Sequence, residues 1–493
     1  MGEEIDHDHF DDAERERFSR RLSGCLSALA QLLEQPGFGV AERTIGAELE
    51  VSLVKANGRP LAENTRVLDA SNDPRLTLEL LRFNLETNLR HTRLSGRPFA
   101  HLARELDGAL VEMRRAAGTC EGRVATIGIL PTLRAGDLRH EAMTDLRRFH
   151  ALSRSIRERR RAAFDLAIDG QDTLRMRWDD LTPEGANTSF QIHLSAAPRE
   201  FSDLFNAAQL ATAPVLAVSG NSPTFLGRRL WEETRVALFK QSVDDRDHER
   251  RARHDEPRVS FGRHWVRAGV LELFREGVEL HQPLLPVLDD EDPLGALASG
   301  DTPRLSELRL HHGTIWRWNR PVYDPHEGGH LRIELRALPS GPTVADMVAN
   351  AAFLVGLTLG LAPTVAALTE ALPFARAEEN FYRSAQSGLG ARLTWPGLPA
   401  ERTAGEVARR LLPTARRGLI EAGVEPAEVE QRLDVIDARI STGMTGAHWQ
   451  RLQLSALERE LGRDDALAAM LERYLELSER GEPVHTWTVE PPG

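Results

Sequence analysis

The chain has 493 residues and a mass of 54.9 kDa, room for about three ordinary domains or one large enzyme. Hydrophobic residues make up 41% and charged residues 28%, a globular balance that excludes a mainly disordered chain. A net charge of −12 argues against non-specific binding to nucleic acid or to an anionic membrane surface.

Two cysteines, Cys25 and Cys120, supply neither a disulfide framework nor a cysteine-based zinc site, so a reducing, cytoplasmic compartment is expected. Of the 62 lysines and arginines only Lys55 and Lys240 are lysine. No GxxxxGK[ST] phosphate loop is present, and no GxGxxG dinucleotide turn. Phosphate handling would fall to arginines and metal ions.

Residues 1–35 read as an acidic tail running into an amphipathic helix (Phe18, Leu22, Leu26, Leu29, Leu33) that stops at Pro36-Gly37. The start lacks the basic and apolar regions of a signal peptide. His7, Asp8 and His9 have metal-ligand chemistry but read as solvated tail. From 43 to about 340, strand-like runs alternate with helices, the latter at 98–117 and 141–165. Residues 244–258 read as a charge-dense loop or exposed helix, and 286–303 as a Pro/Asp/Gly-rich loop. Residues 343–370 read as an apolar helix pair that breaks at Pro363, a buried core element rather than a membrane span. Residues 400–480 are helical. The division expected is 1–42, 43–375 and 376–493: a tail with its helix, a mixed strand-and-helix domain and a helical C-terminal region.

Four strands carry the chemistry. In 43–54, Ile45, Ala47, Leu49, Val51 and Leu53 share one face by period 2, and Glu48, Glu50 and Ser52 the other. In 82–90, Asn84, Glu86 and Asn88 oppose Phe83, Leu85 and Leu89. In 187–194, Ser189, Gln191 and His193 oppose Phe190, Ile192 and Leu194. In 331–338, Arg332, Glu334 and Arg336 oppose Leu331, Ile333, Leu335 and Ala337. A solvated antiparallel face also alternates, but glutamate and asparagine are poor strand formers, and their central placement in four strands implies a use. Crowded carboxylates repel unless a cation sits among them, and oxygen donors without cysteine suit Mg²⁺ or Mn²⁺. Removing one such carboxylate should hold or raise the stability of the metal-free fold.

Other segments can frame that floor. Asn221-Ser222-Pro223-Thr224 has turn chemistry. Trp231, Glu232 and Arg235 fall on one helical face, and Arg235 can either reach the floor or pair locally. Arg317 and Arg320 stand among Trp316, Trp318 and Pro321, suited to cation–π packing or to nucleotide contact. His311, His312, His326 and His330 read as surface histidines.

These pieces resemble the glutamate–cysteine ligases and related carboxylate–amine ligases. Gly46-Ala47-Glu48-Leu49-Glu50 is similar to the G-x-E-x-E strand of that family, and Glu79 and Glu86 to its next acidic pair. The Gln191/His193 strand resembles its histidine-bearing strand, Asn221-Ser222-Pro223 its N-S-P turn, and Arg332–Arg336 its I-E-x-R strand. The pieces occur in family order over roughly 43–340. The resemblance implies an α+β fold of the glutamine synthetase type, a curved, mainly antiparallel sheet with helices behind it. It implies an ATP- and Mg²⁺-dependent ligase (Mn²⁺ an alternative) that joins the γ-carboxylate of glutamate to an amine, typically that of cysteine, through an acyl phosphate. By the same resemblance Glu48, Glu50, Glu79, Glu86, His193 and Glu334 are metal ligands, and Arg336 with Arg332 stabilises the phosphoryl group. Gln191, Arg317 and Arg320 are expected at the nucleotide, and Asn221, Ser222 and Arg235 at the substrate. Another amine acceptor in specialised metabolism, or a non-catalytic nucleotide-binding regulator on the same fold, remains open. So does the oligomeric state. No nucleic-acid or membrane partner is expected.

Overall fold

Eight strands form one sheet in the computed structural model, which describes residues 10–489. They are β1 (Thr44–Lys55), β2 (Leu76–Leu78), β3 (Asn84–Asn88), β4 (Thr92–Arg93), β5 (Gly122–Ala125), β6 (Phe190–Ser195), β7 (Asn319–Asp324) and β8 (His330–Leu335). Their order is β7-β8-β6-β1-β3-β2, with β4 and β5 pairing to the two ends of β1. Each pairing is antiparallel. The period-2 alternation fixes the register, because a one-residue slip would turn an apolar row toward the polar face. Glu48 faces Gln191 on one side and Asn88 on the other, Glu50 faces Glu86, and Glu334 faces His193 and Arg320. Four strands that lie far apart in sequence thus present their polar residues to one surface.

The apolar face is covered by α2 (Pro98–Gly118), α3 (Phe201–Ser219) and α4 (Val344–Leu361), with α5 (Ala404–Glu421) and α6 (Pro426–Thr442) packed outside α3 and α4. The N-terminal helix α1 (Asp12–Glu34) begins on a reciprocal Asp11/Glu14 capping box and buries Phe18, Leu22 and Leu29. The last helices are α7 (Gly446–Leu457) and α8 (Arg463–Arg480). The run Val344–Ala371, α4 and the turns that follow it, is long and apolar enough to cross a membrane by composition, yet residues 346–361 are all buried among other helices. Helix α4 ends where expected, in a 3₁₀ turn carrying Pro363. Its packing on α5 depends on glycine: a Cβ at Gly418 would strike the backbone of Gly356 and Gly360.

Several local expectations are corrected. The 141–165 helix is shorter, Arg147–Arg160, because Phe164–Asp169 alternates into a hairpin with Thr173–Trp178. The 244–258 segment does carry an exposed helix, His248–Ala252, but its two ends are buried rather than solvated. Asp245 and Arg258 are fully buried, and the Asp245 carboxylate meets Arg258 at 3.0 Å and Arg159 at 2.9 Å. A helix at Pro293–Ala298, capped by Asp292, interrupts the 286–303 loop. Trp231 and Glu232 precede the helix Thr234–Ser242 that carries Arg235, so the three do not share a helical face. His311 and His312 are buried, their Nε2 atoms meeting the Gly277 and Phe274 carbonyls, and burial pushes His311 down to about 4. The His7/Asp8/His9 reading lies outside the described residues.

Candidate active site

The polar face of the sheet divides into two poles. At one pole Glu48, His193 and Glu334 bring ligand atoms within 4.8 Å of one another. His193 Nε2 lies 3.1 Å from Glu48 Oε1, while Arg332 Nε donates to His193 Nδ1 at 3.0 Å. A donor on Nδ1 leaves the ring proton on Nε2, directed at Glu48. If Nε2 were to ligate a cation, the proton would have to move to Nδ1 and Arg332 would have to withdraw. Arg332 is itself anchored by Asp324 at 2.6 Å.

Glu334 is the most heavily neutralised acid on the floor. Arg320 grips it with Nε at 2.7 Å and Nη2 at 2.9 Å, and Arg336 Nη1 donates to it at 2.8 Å. Burial works against ionisation, but Arg320, Arg336 and His193 hold this carboxyl well below the ordinary range. Glu48 is likewise lowered, His193 outweighing its burial. Arg336 Nη1 also donates to Gln191 Oε1 at 2.6 Å, and its Nε and Nη2 meet no acceptor among the described residues.

The other pole is almost purely acidic. Glu50, Glu79 and Glu86 again place oxygens within 4.8 Å of one another. Burial pushes Glu79 up to about 7, with Glu50 adding repulsion, and lifts Glu86 well above the ordinary range, with Glu48, Glu79 and Glu50 adding theirs. Glu50 is raised by burial, moderated by Arg235 and Arg336. Its oxygens accept from the Ser189 amide at 2.7 Å and from Gln191 Nε2 at 3.2 Å. Asn88 Nδ2 and Thr77 Oγ1 donate to Glu86 Oε1, at 2.8 and 3.3 Å. Glu86 Oε2 and Glu48 Oε2 are buried with no hydrogen-bond partner. A buried carboxylate oxygen without a donor is costly unless a proton or a cation serves it. The donor set, carboxylates with one imidazole, fits a hard divalent cation.

The candidate residues from sequence part into two groups. Glu48, Glu50, Glu79, Glu86, Gln191, His193, Arg320, Arg332, Glu334 and Arg336 converge on the floor. Arg320 stands there as the bidentate partner of Glu334, so its guanidinium is not free for a nucleotide. Arg317 does not join it: Nη2 meets Glu276 at 2.6 Å, beside His264. Asn221 and Ser222 are fully buried and committed elsewhere, which corrects their assignment to substrate. Asn221 Nδ2 donates to Ser340 O and Tyr474 Oη, Gln450 Nε2 donates to its Oδ1, and Ser222 Oγ donates to Glu233 at 2.6 Å. Arg235 approaches Glu50 electrostatically while donating to Glu233 and to the Ala337 carbonyl.

Two floor groups escaped the sequence reading. Asp324 lies on β7 two positions after Val322 and four after Arg320, so the alternation applied to the other strands would have found it. Glu184 sits in a 3₁₀ turn, Glu184–Ala186, where no periodicity operates. Burial and the nearby Glu79 and Glu50 push it up to about 8.

The model of Glutamate-cysteine ligase family 2 matches residues 44–464. The chain belongs to that family. The match runs past residue 375, where the resemblance legible in the sequence ends, into α8. Membership makes the chain a carboxylate–amine ligase. Among solved structures, glutamate–cysteine ligase from Francisella tularensis in complex with AMP is 10% identical, with a TM-score of 0.51 over 92% of this chain and 91% of that one. A bifunctional glutathione synthetase from Pasteurella multocida is 11% identical, with a TM-score of 0.43 over 93% of this chain and 55% of that one. No curated protein sequence matches the chain. The first similarity carries the α+β, glutamine synthetase-like fold, as the curled antiparallel sheet does.

Proposed function

We propose that the family chemistry takes an ATP- and Mg²⁺-dependent form here, activating the γ-carboxylate of glutamate for attack by an amine, with cysteine as the first candidate. The observation that carries this reading is the division of one floor into an under-neutralised acidic pole and an arginine-rich pole.

Glu50, Glu79 and Glu86 would hold one divalent cation, and Glu48, His193 and Glu334 a second. Such cations, Mg²⁺ or Mn²⁺, would screen the charge of the nucleotide phosphates. Glu86 Oε2 and Glu48 Oε2 supply unshared ligand atoms. Arg336, fixed by Gln191 and Glu334 through Nη1, would offer Nε and Nη2 to a transferring phosphoryl group as charge gathers on it. In the first half-reaction a carboxylate oxygen attacks the γ-phosphorus and ADP leaves, giving an acyl phosphate. In the second the amine nitrogen attacks the acyl carbon, the C–O bond to phosphate breaks, and the amine loses a proton. The attacking group comes from substrate, so the route needs no Ser or Cys nucleophile from the floor.

The test is an incubation with ATP, Mg²⁺, glutamate and a panel of amines, read by ADP, AMP, phosphate and product mass. ADP and phosphate in step with a mass equal to glutamate plus amine minus water are expected. AMP formation would overturn the acyl-phosphate route. Tight ATP binding with no turnover of any amine would favour the non-catalytic reading.

A further inference from the structure

Away from the polar floor, a cavity of about 280 Å³ opens between α2, α6, the start of α4 and the end of α8. Arg114 and Arg432 line it, both half-buried. Neither guanidinium makes a hydrogen bond or a contact ion pair among the described residues, the Nε of each is buried without a hydrogen bond, and the carboxylates that act on them, Asp107 on Arg114 and Glu428 on Arg432, do so only at longer range. Glu428, one turn earlier on the same helix as Arg432, accepts from the Ala100 amide at 2.5 Å through Oε1, and its Oε2 is buried without a hydrogen bond. Burial lowers the Arg432 pKa, with Arg97 adding repulsion against the pull of Glu428. Half-buried guanidinium groups without a contact partner are costly.

The third wall is the N-terminus of the 18-residue helix α4, with Thr343, Val344 and Ala345 on the cavity surface. Thr343 Oγ1 caps Asp346 N, which leaves the amides of Val344 and Ala345 without an intrahelical acceptor. Asp346 in that first turn is already neutralised by Arg439 at 2.6 Å, so it does not cancel the positive end of the helix. Asp107 and Glu479 stand at the exposed rim, and Glu479 is in addition paired with Arg123.

We infer that this cavity is a binding site for a small oxyanion, a phosphate or the carboxylate of an α-amino acid, held between Arg114, Arg432 and the start of α4. The planar guanidinium groups match either anion bidentately, and the helix end adds amide donors. The rim acids suit the second source, because an amino acid bound by its carboxylate would turn its ammonium toward Asp107. None of these residues belongs to the catalytic floor, so the inference stands apart from the reaction proposed above.

The experiment is calorimetric titration of the full-length protein with inorganic phosphate and, separately, with glycine. The wild type is compared with an Arg114→Met/Arg432→Met double variant, whose floor is intact. One of the two probes should bind at least about tenfold more weakly to the double variant, and that probe names the source. Melting of the double variant without ligand should hold or rise, because two half-buried cations without a contact partner have been removed. Equal affinities in the two proteins for both probes, or a marked fall in melting temperature from lost structural contacts, would overturn the inference. If the double variant does not fold, selenate soaked into wild-type crystals decides. An anomalous peak bridging both guanidinium groups supports the site, and its absence overturns it.

Discussion

Arg336 shows how one side chain can be set for charge that develops during a reaction. Its Nη1 is spent on Gln191 and Glu334, which fixes the plane of the group, while Nε and Nη2 meet no acceptor among the described residues. Arg336→Lys replaces that plane with a point charge. Turnover should fall roughly a hundredfold, about 3 kcal/mol of transition-state stabilisation, with ATP affinity within a few-fold of the wild type. Normal turnover in a stable lysine variant would remove Arg336 from the chemistry. The floor glutamates separate into two kinds, contrary to the uniform relief expected from sequence. Glu86 is raised by its neighbours, so Glu86→Gln should hold or raise the melting temperature without metal while abolishing turnover. Glu334 instead satisfies two guanidinium groups at 2% exposure, and Glu334→Ala strands both. A loss of about 3–5 kcal/mol is expected, read from denaturant unfolding beside Glu86→Gln. Equal stabilities in the two variants would contradict the two-pole description.

At the level of strands and turns, the acidic pole links protons to cations. Glu79 is raised to about 7 and Glu184 to about 8, chiefly by burial, so without metal the folded protein binds protons that the unfolded chain has released above the ordinary carboxylate value of 4.5. The folded state then holds more protons than the unfolded state between pH 4.5 and 8, and stability falls as pH rises through that window. A divalent cation displaces those protons, so Mg²⁺ affinity should climb with pH up to about 8, with net proton release. Calorimetry in buffers of differing ionisation enthalpy measures that release. Affinity independent of pH from 6 to 8 would rule out this linkage. The strands of this floor were legible because period 2 is local: Glu48 and Glu50, Asn84 and Glu86, or Gln191 and His193 declare a shared face within a few residues. Which strands pair, and that Glu334 would be claimed by Arg320, depends on contacts across long separations that no local pattern encodes. Glu184 in a 3₁₀ turn, and the burial of Asn221 behind the sheet, lack a periodic signal for the same reason. The buried ion pair of Asp245 and Arg258 looked solvated because composition records charge but not neutralisation.

For the molecule as a whole, the question is whether the helices after residue 375 form a separable region, as their sequence suggests, or complete the ligase core. Helix α4 packs on α5 so closely that Gly418 sits against the backbone of Gly356 and Gly360. From α6, Arg439 enters the interior at 1% exposure, donating to Asn350 and Asp346 at 2.6 Å and to the Val218 carbonyl at 2.9 Å. From α7 and α8, Gln450 and Tyr474 hold Asn221, and Tyr474 Oη also donates to Thr126 O at 2.8 Å, just beyond β5. Cutting the chain at 375 would bare the apolar surface of α4 and leave Asp346 as a buried carboxylate without its arginine. Each such orphan costs several kcal/mol, against a typical total stability of about 5–15 kcal/mol. A 1–375 fragment should therefore be insoluble, or bind a hydrophobic dye without cooperative melting, while the full chain melts cooperatively. The single substitution Tyr474→Phe tests the same joint gently. Loss of one buried hydroxyl with two partners should lower stability by about 1–3 kcal/mol and leave turnover per folded molecule unchanged. A soluble 1–375 fragment with a sharp melting transition would show that the catalytic sheet and its covering helices fold without the C-terminal third.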